Sequence, residues 1–271
     1  MYSLHLNCAP EQVDDVSAEL WAANTCGIRE VDLPDGRVDL IAAFERNDLR
    51  SELMQTFAAF APQWTAEADT DWVLATRNAW PGRSVGARFF LAPPWCEEAT
   101  PAGRMRLVHN PGLACGTGEH PCTRLALEAL ERFVTPSTTV ADIGTGSGIL
   151  AIAALQLGAR TVAAVDLDEA ALHPARENCA LNELHCGLAV GFAVGSASCL
   201  RDQSADLVVA NISPSILLSL ADDLLRIARP AARLILTGFQ EVELEVVAKV
   251  FPAELILQED AWVCLISRAS S

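Results

Sequence analysis

The amino-acid sequence predicts an α/β protein: a Rossmann-like, doubly wound parallel sheet with an antiparallel final strand, preceded by a small N-terminal α+β domain of the ferredoxin-like type. Three patterns predict this fold. They are the βαββαβ order of the first 70 residues, a glycine-rich turn between a predicted strand and a predicted helix near residue 144, and the alternation of strands and helices that follows. We expect one domain over residues 1–70, a linker over residues 71–106 and a second domain over residues 107–271.

The first 70 residues predict four strands and two helices. Each helix has one apolar face, so both helices can cover one side of a four-stranded sheet. These faces comprise Val13, Val16, Leu20 and Trp21 in the first helix and Leu49, Leu53, Phe57 and Phe60 in the second. The other side of the sheet is left for a partner or for the rest of the chain. The predicted elements are strand 3–8, helix 10–24, strand 28–33, a turn at 34–36, strand 37–44, helix 48–60 and strand 64–69.

The segment 71–106 is rich in proline, glycine, tryptophan and arginine, which is typical of a linker. We expect its aromatic residues to anchor strand-like pieces such as residues 87–91 on the larger domain.

After a predicted helix over 124–133, strands and helices alternate from residue 139 onward, as in a doubly wound parallel sheet. The last two strands are too close in sequence for a helical crossover, so they must pair antiparallel. The predicted helices are 124–133, 149–157, 169–181, 215–228 and 240–250, and the predicted strands are 139–143, 161–166, 188–194, 206–212, 233–237, 254–258 and 261–267.

Composition narrows the classes of partner. The net charge is −16, from 35 acidic and 19 basic residues, which opposes nonspecific binding to nucleic acid and favours a basic protein partner. No run of apolar residues is long enough to span a membrane, and the N-terminus does not resemble a signal peptide, so we expect a cytoplasmic protein that binds no membrane. The nine cysteines form no C-x-x-C pair, and we expect no metal site.

The run Asp142-Ile143-Gly144-Thr145-Gly146-Ser147-Gly148 lies between an apolar strand and an apolar helix. Glycines at alternate positions let a ligand approach the backbone, and the helix N-terminus offers free N–H groups. Asp166 ends the next predicted strand, where a carboxylate can accept hydrogen bonds from both hydroxyls of a ribose. These features together predict a cofactor that contains a nucleoside.

The glycine spacing decides the class of cofactor. A dinucleotide fingerprint, G-x-G-x-x-G, would need a glycine at Ile149. The D-x-G-x-G-x-G run instead resembles motif I of class I S-adenosylmethionine methyltransferases. That resemblance implies S-adenosylmethionine as the cofactor, with Gly144 and Gly146 in the turn around its methionine part and its ammonium held by Asp142 or by nearby carbonyls.

A second candidate site follows the strand 206–212, at Asn211-Ile212-Ser213-Pro214. The Asn211 oxygen and the Ile212 carbonyl could accept the hydrogens of an amine and so aim its lone pair at a methyl group. The segment resembles the N-P-P-[YF] motif of enzymes that methylate nitrogen, although it lacks the second proline and the aromatic residue. The alternative is a plain turn in which Ser213 caps a helix that begins at Pro214.

Four further segments identify a family. They are G-T-G-x-H-P-x-T at 116–123, D-W at 71–72, G-S-G-I-L-A-I-A-A at 146–154 and V-V-A-N-I at 208–212. They resemble the PrmA family, the bacterial methyltransferases of ribosomal protein L11. The resemblance implies that Thr123, Gly144, Asp166 and Asn211 contact S-adenosylmethionine, that the loop 116–120 lies over it, and that the N-terminal domain docks the protein substrate. It also implies methyl transfer to the N-terminal α-amine and to lysine ε-amines.

Some positions depart from this family pattern, notably Cys115, Cys122 and the run Ser213-Pro214-Ser215. They leave the cofactor site intact and leave open, as alternative substrates, a lysine of another protein or a small amine. A noncatalytic cofactor-binding regulator is the alternative from another class. His120 has two possible roles: it assists deprotonation of the amine, or it closes its loop by a hydrogen bond to the cofactor carboxylate or to a backbone group.

Overall fold

The structure is a computed structural model that describes residues 2–23, 25–44, 46–66, 81–110, 120–184 and 189–269. The chain divides into two compact units, Met1–Asn78 and Ala79–Ser271. Two of the family motifs, D-W at residues 71–72 and most of the loop 116–120, lie outside the described residues. None of the described helices combines the length and the apolar character needed to cross a lipid bilayer.

The first unit contains a four-stranded antiparallel sheet in the order β2-β3-β1-β4. With one helix after β1 and another after β3, this order is that of the ferredoxin-like fold, in which β3 lies between the parallel strands of a split βαβ unit. The strands are β1 (Tyr2–Cys8), β2 (Gly27–Asp32), β3 (Val38–Phe44) and β4 (Gln63–Ala66).

Two helices, α1 (Val13–Ala22) and α2 (Arg50–Thr56), pack on one face of this sheet. The core between them contains Val13, Val16 and Leu20 from α1 and Leu53 from α2, as the apolar faces predict. Trp21 was predicted to join this core, but 56% of its surface is exposed. It follows Leu20 directly and so lies about 100° further around the helix, outside the buried face.

The second unit begins with a three-stranded sheet of β5 (Arg83–Val85), β6 (Phe89–Ala92) and β7 (Met105–Val108). This finding corrects the predicted linker over 71–106, at least for the described part of it. Only β6 was predicted, because β5 and β7 have three and four residues and show no clear apolar pattern. Apolar side chains of all three strands share a core with helix α3 (Pro121–Phe133), and this burial makes the segment part of the unit.

The large sheet has seven strands in the order β10-β9-β8-β11-β12-β14-β13. Strands β8 to β12 are parallel, and β14 pairs antiparallel with both of its neighbours. The predicted doubly wound sheet with its antiparallel closing hairpin is therefore confirmed. The strands are β8 (Thr139–Ile143), β9 (Thr161–Asp166), β10 (Val190–Val194), β11 (Ala205–Asn211), β12 (Ala228–Gln240), β13 (Ala253–Glu259) and β14 (Trp262–Arg268).

In the described ranges, five more helices flank this sheet: α4 (Ile149–Gln156), α5 (Glu169–Leu181), α6 (Pro214–Ser219), α7 (Ala221–Ile227) and α8 (Glu241–Val250). The predicted single helix over 215–228 is in fact two, α6 and α7, which meet at Leu220. The buried residues Leu217, Ala221 and Leu224 keep helical spacing across the break, so the sequence pattern could not reveal it.

Candidate active site

A cavity of about 680 Å³ opens at the carboxyl ends of strands β8, β9 and β11. This is the position at which doubly wound sheets bind ligands, and the volume suits a nucleoside cofactor. The lining includes seven of the eight predicted cofactor-binding and catalytic residues, all except Asp142: His120, Thr123, Gly144, Gly146, Asp166, Asn211 and Ile212.

The turn after β8 depends on its glycines. Gly144, Gly146 and Gly148 have φ angles of +72°, +51° and +79°, which residues with a side chain rarely adopt. A Cβ atom on Gly144 would lie 2.6 Å from Cγ2 of Ile212. The amides of Gly144 and Thr145 donate to the carbonyl of Val165, at 2.9 and 3.0 Å, which fastens the turn to β9.

Asp142 lies beneath this turn and is only 1% exposed. Its Oδ2 accepts a hydrogen bond of 2.7 Å from the Thr145 hydroxyl, whereas its Oδ1 is buried with no hydrogen bond of normal geometry from any described residue. Burial raises the pKa of Asp142 to about 7, against the lowering effects of Thr145 and of the Ala151 backbone. Asp142 is not among the residues that line the cavity, so its predicted contact with an ammonium stays a prediction.

Asp166 stands at the end of β9, on the cavity wall. Its two carboxylate oxygens accept backbone hydrogen bonds from Gly146, at 2.8 Å, and from Asp168, at 3.0 Å. These bonds fix the carboxylate, and each oxygen keeps a second lone pair for a ligand hydroxyl. The next residue, Leu167, lines the cavity with 75% of its surface exposed, and the sequence analysis did not single it out although it directly follows the predicted acid.

Asn211 ends β11 and meets Thr123 from the first turn of α3. Its Nδ2 donates a hydrogen bond of 3.3 Å to the hydroxyl oxygen of Thr123, which is 1% exposed. In the part of the chain that the structure describes, no group donates to Oδ1 of Asn211. Among the described residues, the donor of this amide is thus engaged and its acceptor is not.

Ile212 is held on two sides. Its N–H donates to the carbonyl of Thr237 at 3.1 Å, and its side chain lies over Gly144. The next two residues occupy the predicted helix start, with Ser213 at the N-cap and Pro214 at the first position of α6. The Ser213 hydroxyl, however, does not cap the backbone.

His120 is the N-cap residue of α3, which begins at Pro121 rather than at the predicted residue 124. Its Nδ1 accepts a hydrogen bond of 3.3 Å from the Cys122 amide. A neutral imidazole that accepts at Nδ1 carries its proton on Nε2 and has no lone pair left for a base. This bond to a backbone group is of the kind expected from the loop-closing role.

The tip of the β13–β14 hairpin packs against the start of α3. The ring of Trp262 lies edge-on to that of His120, with centroids 4.3 Å apart, and Arg124 forms a two-pronged ion pair with Glu259. These partners are more than 130 residues apart in sequence, and no local pattern could have identified them.

These residues fit S-adenosylmethionine. The glycine turn itself lines the cavity through Gly144 and Gly146, and Ile149 stands where a dinucleotide fingerprint would have its third glycine. The fixed carboxylate of Asp166 provides acceptors for ribose hydroxyls on the same cavity wall. Leu150, Leu167 and Ile212 add apolar surface.

Comparison with known proteins identifies the family. Residues 6–270 match the family described as ribosomal protein L11 methyltransferase (PrmA). The protein of that name from Thiobacillus denitrificans is 35% identical over 261 residues, which cover 93% of this chain and 82% of the relative. The one from Symbiobacterium thermophilum is 34% identical over 210 residues, covering 76% of this chain and 67% of the relative.

A solved structure gives the same result. The crystal structure of ribosomal protein L11 methylase from Lactobacillus delbrueckii subsp. bulgaricus superposes with a TM-score of 0.64 and 32% sequence identity. The match covers 70% of this chain and 99% of that one. The chain therefore belongs to the ribosomal protein L11 methyltransferase (PrmA) family of S-adenosylmethionine-dependent methyltransferases.

Proposed function

We propose that this protein transfers methyl groups from S-adenosylmethionine to amino groups of ribosomal protein L11, at lysine ε-amines, the N-terminal α-amine or both. When bound, the cofactor supplies a methyl group on a positively charged sulfur. The observation that carries the proposal is the oriented amide of Asn211, which lies in the same cavity as the glycine turn and Asp166.

The proposed task of Asn211 is to aim the amine. Because Thr123 engages Nδ2, the Oδ1 atom is left to accept a hydrogen from the amine nitrogen. The carbonyl of Ile212 is a second candidate acceptor. An amine whose hydrogens are held by these oxygens can point its lone pair at the methyl group, and such alignment lowers the barrier to reaction.

Lysine must lose a proton before it attacks, and its ordinary pKa is about 10.4. The cavity wall next to Asn211 is apolar, formed by Ile212, Ile216 and Leu220. An ammonium that moves from water to this wall loses hydration, and its pKa falls. Desolvation is therefore the proposed route to the free amine, because the His120 ring uses Nδ1 to cap α3.

The protein substrate is proposed to be basic. The net charge of −16 attracts a lysine- and arginine-rich protein and raises the rate of encounter. We propose that the first unit docks this substrate. The seven-stranded sheet and the described lining of the cavity belong to the second unit, and we assign recognition of the substrate to the first unit.

The test uses ribosomes from cells that lack this enzyme. Purified protein and radiolabelled S-adenosylmethionine are added, and the labelled product is identified by mass spectrometry. We expect label on L11, appearing about 10²-fold more slowly when the added protein carries Asn211→Ala. Label on a different protein, or on a small amine only, would replace L11 as the substrate. Cofactor binding without any transfer would favour a noncatalytic regulator.

A further inference from the structure

Strand β12 contains a β-bulge at Gly238. In its pairing with β14, Thr237 lies opposite Cys264 and Phe239 lies opposite Val263, so Gly238 has no partner residue. Its φ angle is +100°, in the region that favours glycine. Bulges of this kind occur next to active sites, where they redirect the chain.

The bulge presses against the backbone of Ile212. A Cβ atom at position 238 would lie 2.4 Å from the carbonyl oxygen of Ile212 and 2.8 Å from both its carbonyl carbon and its nitrogen. Real Cβ atoms essentially never come so close to backbone, so only glycine fits without displacing Ile212. The residue before the bulge also holds this segment, because the Thr237 carbonyl accepts the Ile212 N–H at 3.1 Å.

The bulge itself is firmly held. The hydroxyl of Thr237 donates a hydrogen bond of 2.7 Å to the carbonyl of Val263, and Thr237 is fully buried. Phe239, on the other side of the bulge, is also fully buried in the core. A side chain at position 238 must therefore move Ile212, because Thr237 and Phe239 are fixed in a close-packed sheet.

We propose that Gly238 is a positioning residue for methyl transfer: its bulge sets the place of the Ile212 backbone and, through it, of the adjacent Asn211 amide. The inference rests on the proposed function, since it gives Asn211 the task of aiming the amine. It adds a residue that lies outside the cavity lining and 27 positions from Asn211 in sequence.

The test compares substitutions at two glycines that have nearly the same φ angle. Gly238→Ala places a Cβ atom against Ile212, at a φ of +100°. Gly158→Ala is the control, because Gly158 has a φ of +98° but its nearest atom would be Cγ of Pro136, at 3.9 Å, in ordinary contact. For each variant, the single-turnover rate of L11 methylation at saturating cofactor and the dissociation constant of S-adenosylmethionine are measured.

We expect Gly238→Ala to slow the single turnover by about 10²-fold, as a displacement of about 1 Å at a reacting group can do, with a smaller change in cofactor affinity. Gly158→Ala should keep a rate close to that of the wild type. Equal losses in both variants would overturn the inference, because backbone strain would then explain them. A loss confined to cofactor affinity would overturn it as well.

A second variant covers the case in which Gly238→Ala does not fold. Thr237→Val removes the hydrogen bond that holds the bulge to Val263 and adds no atom near Ile212. We expect the methylation rate to fall, but by less than in Gly238→Ala, and a wild-type rate in a folded Thr237→Val protein would overturn the inference.

Failure of the inference can be told apart from failure of the proposed function. If the wild type binds cofactor but never labels L11, the proposed function fails and the inference falls with it. If only the inference fails, the wild type still labels L11.

Discussion

The Nδ2 atom of Asn211 donates a hydrogen bond of 3.3 Å to the hydroxyl oxygen of Thr123, joining the end of β11 to the first turn of α3. The two residues are 88 positions apart. Thr123 is almost fully buried, so its hydroxyl is a fixed partner. The bond decides which end of the Asn211 amide remains available to a substrate.

Asn211→Ala should slow single-turnover methylation by about 10²-fold or more, because the amine would lose an acceptor that aims its lone pair. The affinity for S-adenosylmethionine should fall less. Both quantities are measured on the same variant, by rapid quench and by calorimetry. A loss of affinity with no loss of rate would make Asn211 a binding residue only.

Thr123→Val should have a weaker effect in the same direction, because the Asn211 amide would remain but would be free to rotate. In the double variant, the two losses should not add, since the threonine acts through the asparagine. Additive losses in the double-mutant cycle would show that Thr123 acts independently, for example by contacting the cofactor itself.

Asp166→Ala should weaken binding of S-adenosylmethionine by about 2–3 kcal/mol, because two charge-assisted hydrogen bonds to the ribose would be lost. Calorimetry measures the change. Asp206→Ala is the matched control, since Asp206 also accepts a backbone N–H, from Thr139, but lies at the opposite end of the sheet. Unchanged affinity in Asp166→Ala, or binding of NAD by the wild type, would contradict the assignment.

Two substitutions of His120 separate its possible roles. His120→Asn keeps an acceptor in place of Nδ1 and should still cap α3, because asparagine is a good N-cap residue. His120→Gln loses this cap. If His120 closes the helix start, the asparagine variant should keep most of its methylation rate and the glutamine variant should melt at a lower temperature. A severe rate loss in both variants, with melting unchanged, would instead indicate a chemical role.

Asp142 should make the stability depend on pH. Burial raises its pKa from 3.8 to about 7 in the folded state, so between about pH 4 and pH 7 the folded state binds more protons than the unfolded state. The stabilisation of the folded state by the protonated Asp142 carboxyl group is fully present below about pH 4 and is lost as the pH rises to about 7. Relative to Asp142→Asn, the free energy of unfolding of the wild type should fall over this range, by at most about 1.4 kcal/mol per pH unit. Parallel curves would contradict the raised pKa.

A fragment over residues 71–271 should bind S-adenosylmethionine like the full chain, because the described residues of the cavity lining lie between His120 and Leu220. It should lose methylation of L11 if residues 1–70 dock the substrate. Circular dichroism establishes first that the fragment folds, and a second fragment over 79–271 tests the observed boundary. Full activity of a folded fragment would exclude the docking role.

Much of the site could be predicted because its parts are local in sequence. Each part follows a strand of the same parallel sheet: the glycine turn at Gly144, the acid Asp166 and the amide Asn211. Parallel strands end at one edge of the sheet, so these parts lie close together. The resemblance to PrmA added Thr123 by motif alone. Apolar periodicity gave a wrong prediction at single residues. It placed the exposed Trp21 in the core, and it missed the break between two helices at Leu220.

The doubly wound sheet and its antiparallel hairpin could be predicted from apolar spacing, and the cofactor followed from the resemblance of the glycine run to motif I, because these are properties of short segments. Three contacts became known only from the folded structure: the Thr123 hydroxyl with Nδ2 of Asn211, the Trp262 ring with His120, and Gly238 with the backbone of Ile212. These contacts join residues far apart in the chain. Their geometry depends on how whole strands and helices pack, and no local pattern records that packing.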